Sequence, residues 1–300
     1  MPPADQPTIR LDRLTKRYGK NRGVEDLTLG IKQGEVFGFL GPNGAGKTTA
    51  IRVIMGFLHP TSGTAEVLGM DVVNQTVEVR RRTGYLPGDP ALYSGRSGWD
   101  LLKLALGTRG MKDAPLTERL VESLAAPMDR DVKKCSRGMR QKIALVLSLA
   151  HDPEVLILDE PTAGLDPLGQ RALLEIIDER ARAGRTVLLS SHILSEVEQV
   201  CDRVGILREG RLSALSTVED LRSQKYREVT IAFEGDPPRL TEVGEVEVVW
   251  RHENRMTLRV RGEAQRLLQA LAAAQITDVT ITEPSLEEVF LDFYRGGVGP

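Results

Sequence analysis

The stretch Glu35-Val36-Phe37-Gly38-Phe39-Leu40-Gly41-Pro42-Asn43-Gly44-Ala45-Gly46-Lys47-Thr48 decides the fold class. Residues 35–40 read as a strand, and residues 41–48 fit the pattern G-x-x-x-x-G-K-[ST]. Just beyond, Ile51, Ile54, Met55 and Leu58 recur at i, i+3, i+4 and i+7, which predicts a helix with one buried face. Strand, glycine-rich turn and helix in that order make a cradle for phosphates. The glycines let successive N–H groups curl round one concavity, and the helix N-terminus adds partial positive charge. Lys47 is placed to reach the outer phosphates of a nucleotide, and the Thr48 hydroxyl to ligate Mg²⁺. A glycine turn with a chance Lys-Thr is the bland alternative, and the flanking strand and helix argue against it.

Downstream, Val155-Leu156-Ile157-Leu158-Asp159-Glu160 is an aliphatic strand ending in two carboxylates. Ligands of open α/β sheets sit at the carboxyl ends of the strands, so both acids project toward the phosphates. Asp159 is expected to hold Mg²⁺, directly or through water, and Glu160 to polarise an attacking water as general base. Residues 186–189 form another short aliphatic run, and residues 168–181 between the two read as helix. Such runs suit strands buried on both faces of a parallel sheet, so residues 9–222 are α/β. Residues 88–150 lack strong strand runs and read as an inserted helical subdomain with an exposed loop at 111–115.

From residue 223 the period changes. Val229, Ile231 and Phe233 alternate, as do Val246, Val248 and Trp250, then Met256, Leu258 and Val260, which predicts half-buried strands. Ala264, Leu267, Leu268 and Leu271 mark a helix, Val279 and Ile281 a further strand, and Ser285 with Glu288 a capping box opening a last helix. The expected organisation is one domain over 1–222 and a small α+β domain over 223–300.

A net charge of −2 gives no overall basic field, so nucleic acid is not an expected partner. The two cysteines, Cys135 and Cys201, lie outside any metal-ligand spacing and suit a reducing compartment. Cys201 falls in line with Leu194 and Val197 on a helix face, a core position. The longest apolar candidate, residues 143–150, is far short of the ~18 residues a spanning helix needs. Residues 1–6 lack the pattern of a signal peptide. The expectation is a soluble cytoplasmic chain, peripheral on the inner face of the cell membrane through a partner.

On the phosphate loop and the Asp159-Glu160 strand end, the chain resembles the ABC (ATP-binding-cassette) ATPase family over residues 8–222. Further elements stand in that family's order. Tyr18 is similar to the aromatic that stacks on adenine. Thr83-Gly84-Tyr85-Leu86-Pro87 is similar to the lead-in to the Q-loop. Cys135-Ser136-Arg137-Gly138-Met139 resembles the signature usually written LSGGQ. Ala163-Gly164-Leu165-Asp166 resembles the D-loop, and His192 after Ser190-Ser191 resembles the switch histidine. Ser136 also reads on its own as an N-cap ahead of the apolar face Ile143, Val146, Leu147 and Ala150, and Gly138 permits close backbone approach.

The resemblance implies the P-loop NTPase cassette fold and an ATP hydrolase using ATP and Mg²⁺. It places Gly41, Pro42, Asn43, Gly44, Ala45, Gly46, Lys47, Thr48 and Thr49 around the phosphates and Tyr18 on the base. It assigns Thr48 and Asp159 to the metal, and Glu160 and His192 to catalysis. A homodimer would sandwich two ATP molecules head to tail, with Ser136, Gly138 and Asp166 completing the opposite copy's site.

Two positions depart from the family. Gly88 stands where a Gln normally helps ligate Mg²⁺ and relays permease movement; either water or Asp89 is expected to take that coordination position. Arg137 replaces a small signature residue, and either adds positive charge near the partner's phosphates or is a solvated surface residue. The Ser-Arg-Gly-Met signature, the compact tail and its ending Glu283-Pro284-Ser285-Leu286-Glu287-Glu288-Val289-Phe290 resemble ATPase subunits of bacterial ABC-2-type exporters, including drug and antibiotic exporters. That implies a separate polytopic membrane permease and export of a drug, antibiotic or lipid-like molecule, with the tail either buttressing the dimer or regulating it. The alternative is a soluble ABC ATPase of translation or DNA repair. Those relatives usually carry two cassettes or long coiled-coil insertions, whereas this chain has one cassette, no sustained heptad run and no basic stripe.

Overall fold

The computed structural model describes residues 6–223, 227–240, 243–261 and 264–282. The chain opens with β1 (Ile9–Tyr18), β2 (Asn21–Ile31) and β3 (Val36–Leu40). Helix α1 (Lys47–Ile54), β4 (Ser62–Val67), β5 (Met70–Asp71), α2 (Thr76–Arg82) and β6 (Thr83–Leu86) follow. Next come α3 (Gly98–Thr108), α4 (Thr117–Leu124) and, after one 3₁₀ turn at Val132–Lys134, α5 (Arg137–Leu149). The unit closes with β7 (Val155–Asp159), α6 (Pro167–Arg182), β8 (Thr186–Ser191), α7 (Leu194–Val200), β9 (Arg203–Arg208) and β10 (Arg211–Thr217).

Strands β3, β7 and β8 are predominantly apolar because both their faces are covered; every residue of each is buried. They lie in a six-stranded sheet of order β10-β9-β3-β8-β7-β6, parallel except for the edge strand β10. A second sheet, β2-β1-β4-β5, is antiparallel. Helix α1 touches strands of both. Its Ala50, Ile51, Val53 and Ile54 join Phe37, Phe39, Leu11, Leu27 and Ile157 in one core. This helix therefore both starts at the phosphate loop and cements the two sheets. It is shorter than the periodicity suggests: it ends at Ile54, Met55 caps it, and Gly56 follows at φ 63°, so Leu58 lies outside the helix. Gly56 ends the run because the left-handed conformation costs it nothing.

Helices α3, α4 and α5 fill the region expected to be helical. α3 is opened by a capping box of Ser97 and Asp100. α6 has Pro167 in its first turn, Asp166 as N-cap, and Arg180 and Arg182 in its last turn, which agrees with its macrodipole. Cys201 is buried at the end of α7; burial, then Asp202 and Glu35, push its thiol pKa up. No helix among the described residues is long and apolar enough to cross a membrane.

The chain divides into compact units between Thr217 and Val218, five residues before the expected boundary at 222. The second unit holds α8 (Val218–Ser223), β11 (Arg227–Glu234), β12 (Glu245–His252), β13 (Arg255–Arg261), α9 (Ala264–Ala272) and β14 (Gln275–Thr282). Its antiparallel sheet has the order β12-β13-β11-β14. Val229, Ile231, Phe233, Leu258 and Val260 form its core with Leu267 and Leu271 of α9. The expected half-burial fails on the edge strand β12, where Val248 and Trp250 are exposed; on the other edge Val279 and Ile281 of β14 are exposed as well. A register shift between Val248 and Trp250 breaks the alternation of β12 and leaves Trp250 opposite Thr257. The capping box at Ser285 and Glu288 lies outside the described residues.

Candidate active site

Residues 41–46 leave β3 and turn into α1. Gly46 caps α1 at φ 107°, and a Cβ there would come within 2.6 Å of the Gly23 carbonyl oxygen, so both conformation and space demand glycine. No side chain caps α1, and its first turn carries no acid. The orphan N–H groups of that turn are thus left for an external anion. Lys47 is buried; its Nζ donates to the carbonyl oxygens of Gly41 (2.6 Å) and Pro42 (3.3 Å). Pro42, Asn43, Gly44 and Ala45 form the crown of the loop, which Ala45 N–H closes by donating to Pro42 O at 3.2 Å.

The carboxylates arrive from β7. Thr48 Oγ1 donates to Asp159 Oδ1 at 3.2 Å. Lys47 Nζ lies 3.2 Å from Glu160 Oε1, and His192 Nδ1 lies 2.6 Å from Glu160 Oε2. Glu160 is thereby held between a cation of the phosphate loop and an imidazole from the end of β8. Its backbone sits at φ 48°, in the left-handed region, which costs a residue with a Cβ roughly 1–2 kcal/mol. Such local strain belongs to functional turns. Tyr85 on neighbouring β6 registers the charge of the site. Burial first, and the Asp159 carboxylate second, push its phenol up to about 12.

Thr48 Oγ1 and Asp159 offer hard oxygen donors side by side. No group of three or more His, Cys, Asp or Glu able to hold a metal occurs among the described residues. The two oxygens fit a cation that completes its shell with water and phosphate oxygens, the habit of Mg²⁺. Gly88 borders the same carboxylate: a Cβ there would lie 3.7 Å from Asp159 Oδ2. Asp89 is exposed and makes no hydrogen bond with the described residues.

Tyr18 ends β1, 44% exposed, with Lys16 Nζ 5.7 Å from its ring centroid. Its ring and the Thr49 methyl both rest against Gly23, so Tyr18 flanks the first turn of α1.

Ser136 and Gly138 stand apart from this cluster, at the start of α5. Ser136 Oγ accepts from Met139 N–H at 3.3 Å as N-cap. Gly138 meets the 160–166 loop so closely that a Cβ would lie 2.3 Å from Gly164 O. Lys142 Nζ binds Asp166 Oδ2 (3.1 Å), and buried Gln141 donates to Pro161 O (3.0 Å). Asp166 Oδ1 also accepts from Gly169 N–H; that bond first, and Lys142 second, hold its carboxyl below the usual range. Gln141 and Lys142 carry no motif of their own, and only their helix register beside Gly138 points to them.

A model of the ABC transporter family matches residues 24–163, and one for a DrrA1-3-like ATP-binding protein, C-terminal domain, matches residues 217–294. An AAA-domain model, described as a putative AbiEii toxin, matches residues 129–198. The bacitracin transport ATP-binding protein BcrA of Bacillus licheniformis is 34% identical over 305 positions, covering 96% of this chain and 98% of that protein. The chain belongs to the ATP-binding proteins of ABC transporters. The lantibiotic transport ATP-binding protein SrtF of Streptococcus pyogenes is 36% identical over 68% of this ABC protein and 88% of its own length. A solved ATP-binding subunit of an ABC transporter superposes with a TM-score of 0.67 at 33% identity, over 72% of this chain and 92% of that one. A dimeric cassette in a post-hydrolysis state with ADP and Pi shares the fold, with a TM-score of 0.63 at 20% identity over 70% and 98%. The ABC ATPase assignment makes this an ATP-binding, ATP-hydrolysing subunit.

Proposed function

We propose that the chain hydrolyses ATP at the loop of residues 41–49 and uses the energy to drive a separate membrane permease that exports a drug, antibiotic or lipid-like molecule. One observation carries the chemistry: Glu160, at the strand end beside the phosphate loop, is held between Lys47 and His192. The names of the bacitracin and lantibiotic transport relatives support the choice of cargo class. The translation or DNA-repair alternative finds no support among the reported relatives.

In this reading Tyr18 stacks on the adenine ring, while the backbone of residues 41–46 and the N-terminal turn of α1 take the phosphates. Lys47 turns from its carbonyl acceptors to the outer phosphates. Thr48 and Asp159 are the residues that would hold Mg²⁺, which supplies charge neutralisation on the phosphate oxygens. Glu160 takes the proton of the attacking water, and His192 orients Glu160 from the other side. Ser136, Gly138 and Asp166 face the nucleotide of a second copy, so two copies close on two ATP molecules. ATP bridges the dimer and ADP does not, which makes closure a matter of differential binding. The dimer attaches to the permease at the inner face of the membrane.

Glu160→Gln tests the chemistry. It keeps the shape and removes the base, and loss of a general base costs about 10²- to 10⁴-fold in turnover. The variant should bind ATP, lose turnover on that scale and elute as a dimer in size-exclusion chromatography. Full turnover would remove Glu160 from the role of base. Co-purification of the tagged chain with a polytopic membrane protein tests the partnership.

A further inference from the structure

We propose that Ser190 is the positioning residue that holds the two carboxylates of the active site in register. This rests on the reading that Asp159 serves the metal and Glu160 the water.

Ser190 is fully buried, one residue before the end of β8. In the parallel pairing of β7 with β8 it stands directly beside Asp159. Its Oγ donates to Asp159 Oδ1 at 2.6 Å and accepts from the Glu160 N–H at 3.0 Å. The same N–H also reaches the Ser190 carbonyl oxygen at 3.2 Å. One hydroxyl proton and one lone pair therefore serve both acids without conflict.

Each bond has a distinct consequence. Asp159 Oδ1 receives two hydroxyls, those of Thr48 and Ser190. Two donors on one oxygen fix the rotation of the carboxylate and turn Oδ2 toward the side where Gly88 lies. For Glu160, the shared N–H anchors a backbone that sits in the left-handed region at φ 48°. Two residues on, His192 meets the Glu160 side chain at 2.6 Å. The end of β8 thus grips the base twice, by the backbone through Ser190 and by the side chain through His192. A buried serine that merely filled space would satisfy its hydroxyl on a backbone carbonyl and would not join two acids of the reaction centre.

The test compares Ser190→Ala, Ser190→Thr and Ser190→Val in the full chain. Thr and Val have the same shape, and only Thr keeps the hydroxyl. The wild-type and Glu160→Gln proteins are run alongside: absent turnover in the wild type, or full turnover in Glu160→Gln, marks a failure of the ATPase reading, whereas a failure of the Ser190 inference shows only in the serine series. Removing a residue that orients a metal-side ligand costs about 10- to 100-fold. Turnover of Ser190→Ala and Ser190→Val should fall on that scale, while Ser190→Thr recovers most of the loss. A binding readout stands beside activity. With a fluorescent ATP analogue, Ala and Val should weaken affinity in Mg²⁺ and leave it unchanged in EDTA. Ser190→Ala with wild-type turnover and an unshifted Mg²⁺ requirement would overturn the inference. So would Thr and Val variants that behave alike.

Discussion

Lys47 has three oxygens within reach, two backbone carbonyls of its own loop and Glu160 Oε1. Its buried stem leaves the ammonium little room to move except along the loop's concavity. Lys47→Met keeps the stem and removes the charge. A hydrogen bond to a charged group is worth roughly 1.5–3 kcal/mol, so ATP affinity should fall about tenfold to a hundredfold by calorimetric titration. Affinity within twofold of wild type would show that the phosphates do not engage Lys47. At this scale the sequence is legible where a motif fixes the neighbours: Lys47 meets Glu160 and Thr48 meets Asp159 because the loop and the strand end must face one another. Ser190 and Gln141 are opaque for the opposite reason. The partner of Ser190 depends on the register of β7 against β8, and that of Gln141 on how α5 meets the loop at Pro161. No string of residues states either.

Between β6 and α3, Gly88 stands where the family has Gln, and the structure shows room for a side chain there. A Cβ at Gly88 would meet nothing nearer than Asp159 O at 3.5 Å, an ordinary contact. Asp89 is exposed and makes no hydrogen bond with the described residues, which favours water in that ligand role. Asp89→Ala should leave Mg²⁺-dependent hydrolysis within about twofold and stability within about 0.5 kcal/mol, as for surface positions without special contacts. A tenfold loss would return Asp89 to the metal. Helix α1 makes the contrasting prediction. Ile51 is fully buried between the sheets, so Ile51→Ala should cost about 2–5 kcal/mol in chemical denaturation. Because the same helix presents Lys47 and Thr48, ATP binding should weaken alongside. Periodicity announced α1 and the buried parallel strands, but not the end of α1 at Gly56 or the bulge in β12. Both are backbone events that apolar spacing does not record. The antiparallel sheet β2-β1-β4-β5 escaped for a related reason, since its two local hairpins are joined by the pairing of β1 with β4, strands far apart in sequence that meet only through the fold.

For the molecule as a whole, the change of period near residue 223 marks where one core gives way to another. The stability of the first unit has an acid-sensitive corner at residues 150–154, where α5 hands over to β7. Arg82 pairs with Glu154, and Arg180 and Arg185 with Asp152. His151 lies among them, buried, with Nε2 lacking a partner among the described residues. Burial first, and the charge of Arg109 second, lower its pKa from 6.5 to about 4. The folded chain therefore keeps His151 neutral at pH 5, while the unfolded chain binds the proton. Stability fully present above 6.5 is lost as the pH falls toward 4, by about 2 kcal/mol between pH 7 and pH 5. The two carboxyls act in a lower window. Burial raises Asp152, but Arg185 and Arg180 outweigh it, and the Arg82 hydrogen bond holds Glu154 down. Both lie below their ordinary 3.8 and 4.5, so their contribution fades only in stronger acid. Between pH 7 and pH 5 the proton uptake of this corner thus belongs to His151. His151→Leu removes that proton site, and with it both the unpartnered Nε2 and the ring's hydrogen bond to the Thr83 backbone. At about 2–4 °C per kcal/mol for a unit of this size, the drop in melting temperature from pH 7 to pH 5 should shrink by roughly 4–8 °C in the variant. An equal drop in both proteins would mean that His151 takes up its proton in the folded chain as readily as in the unfolded one, and that the ion pairs around it yield to let it do so.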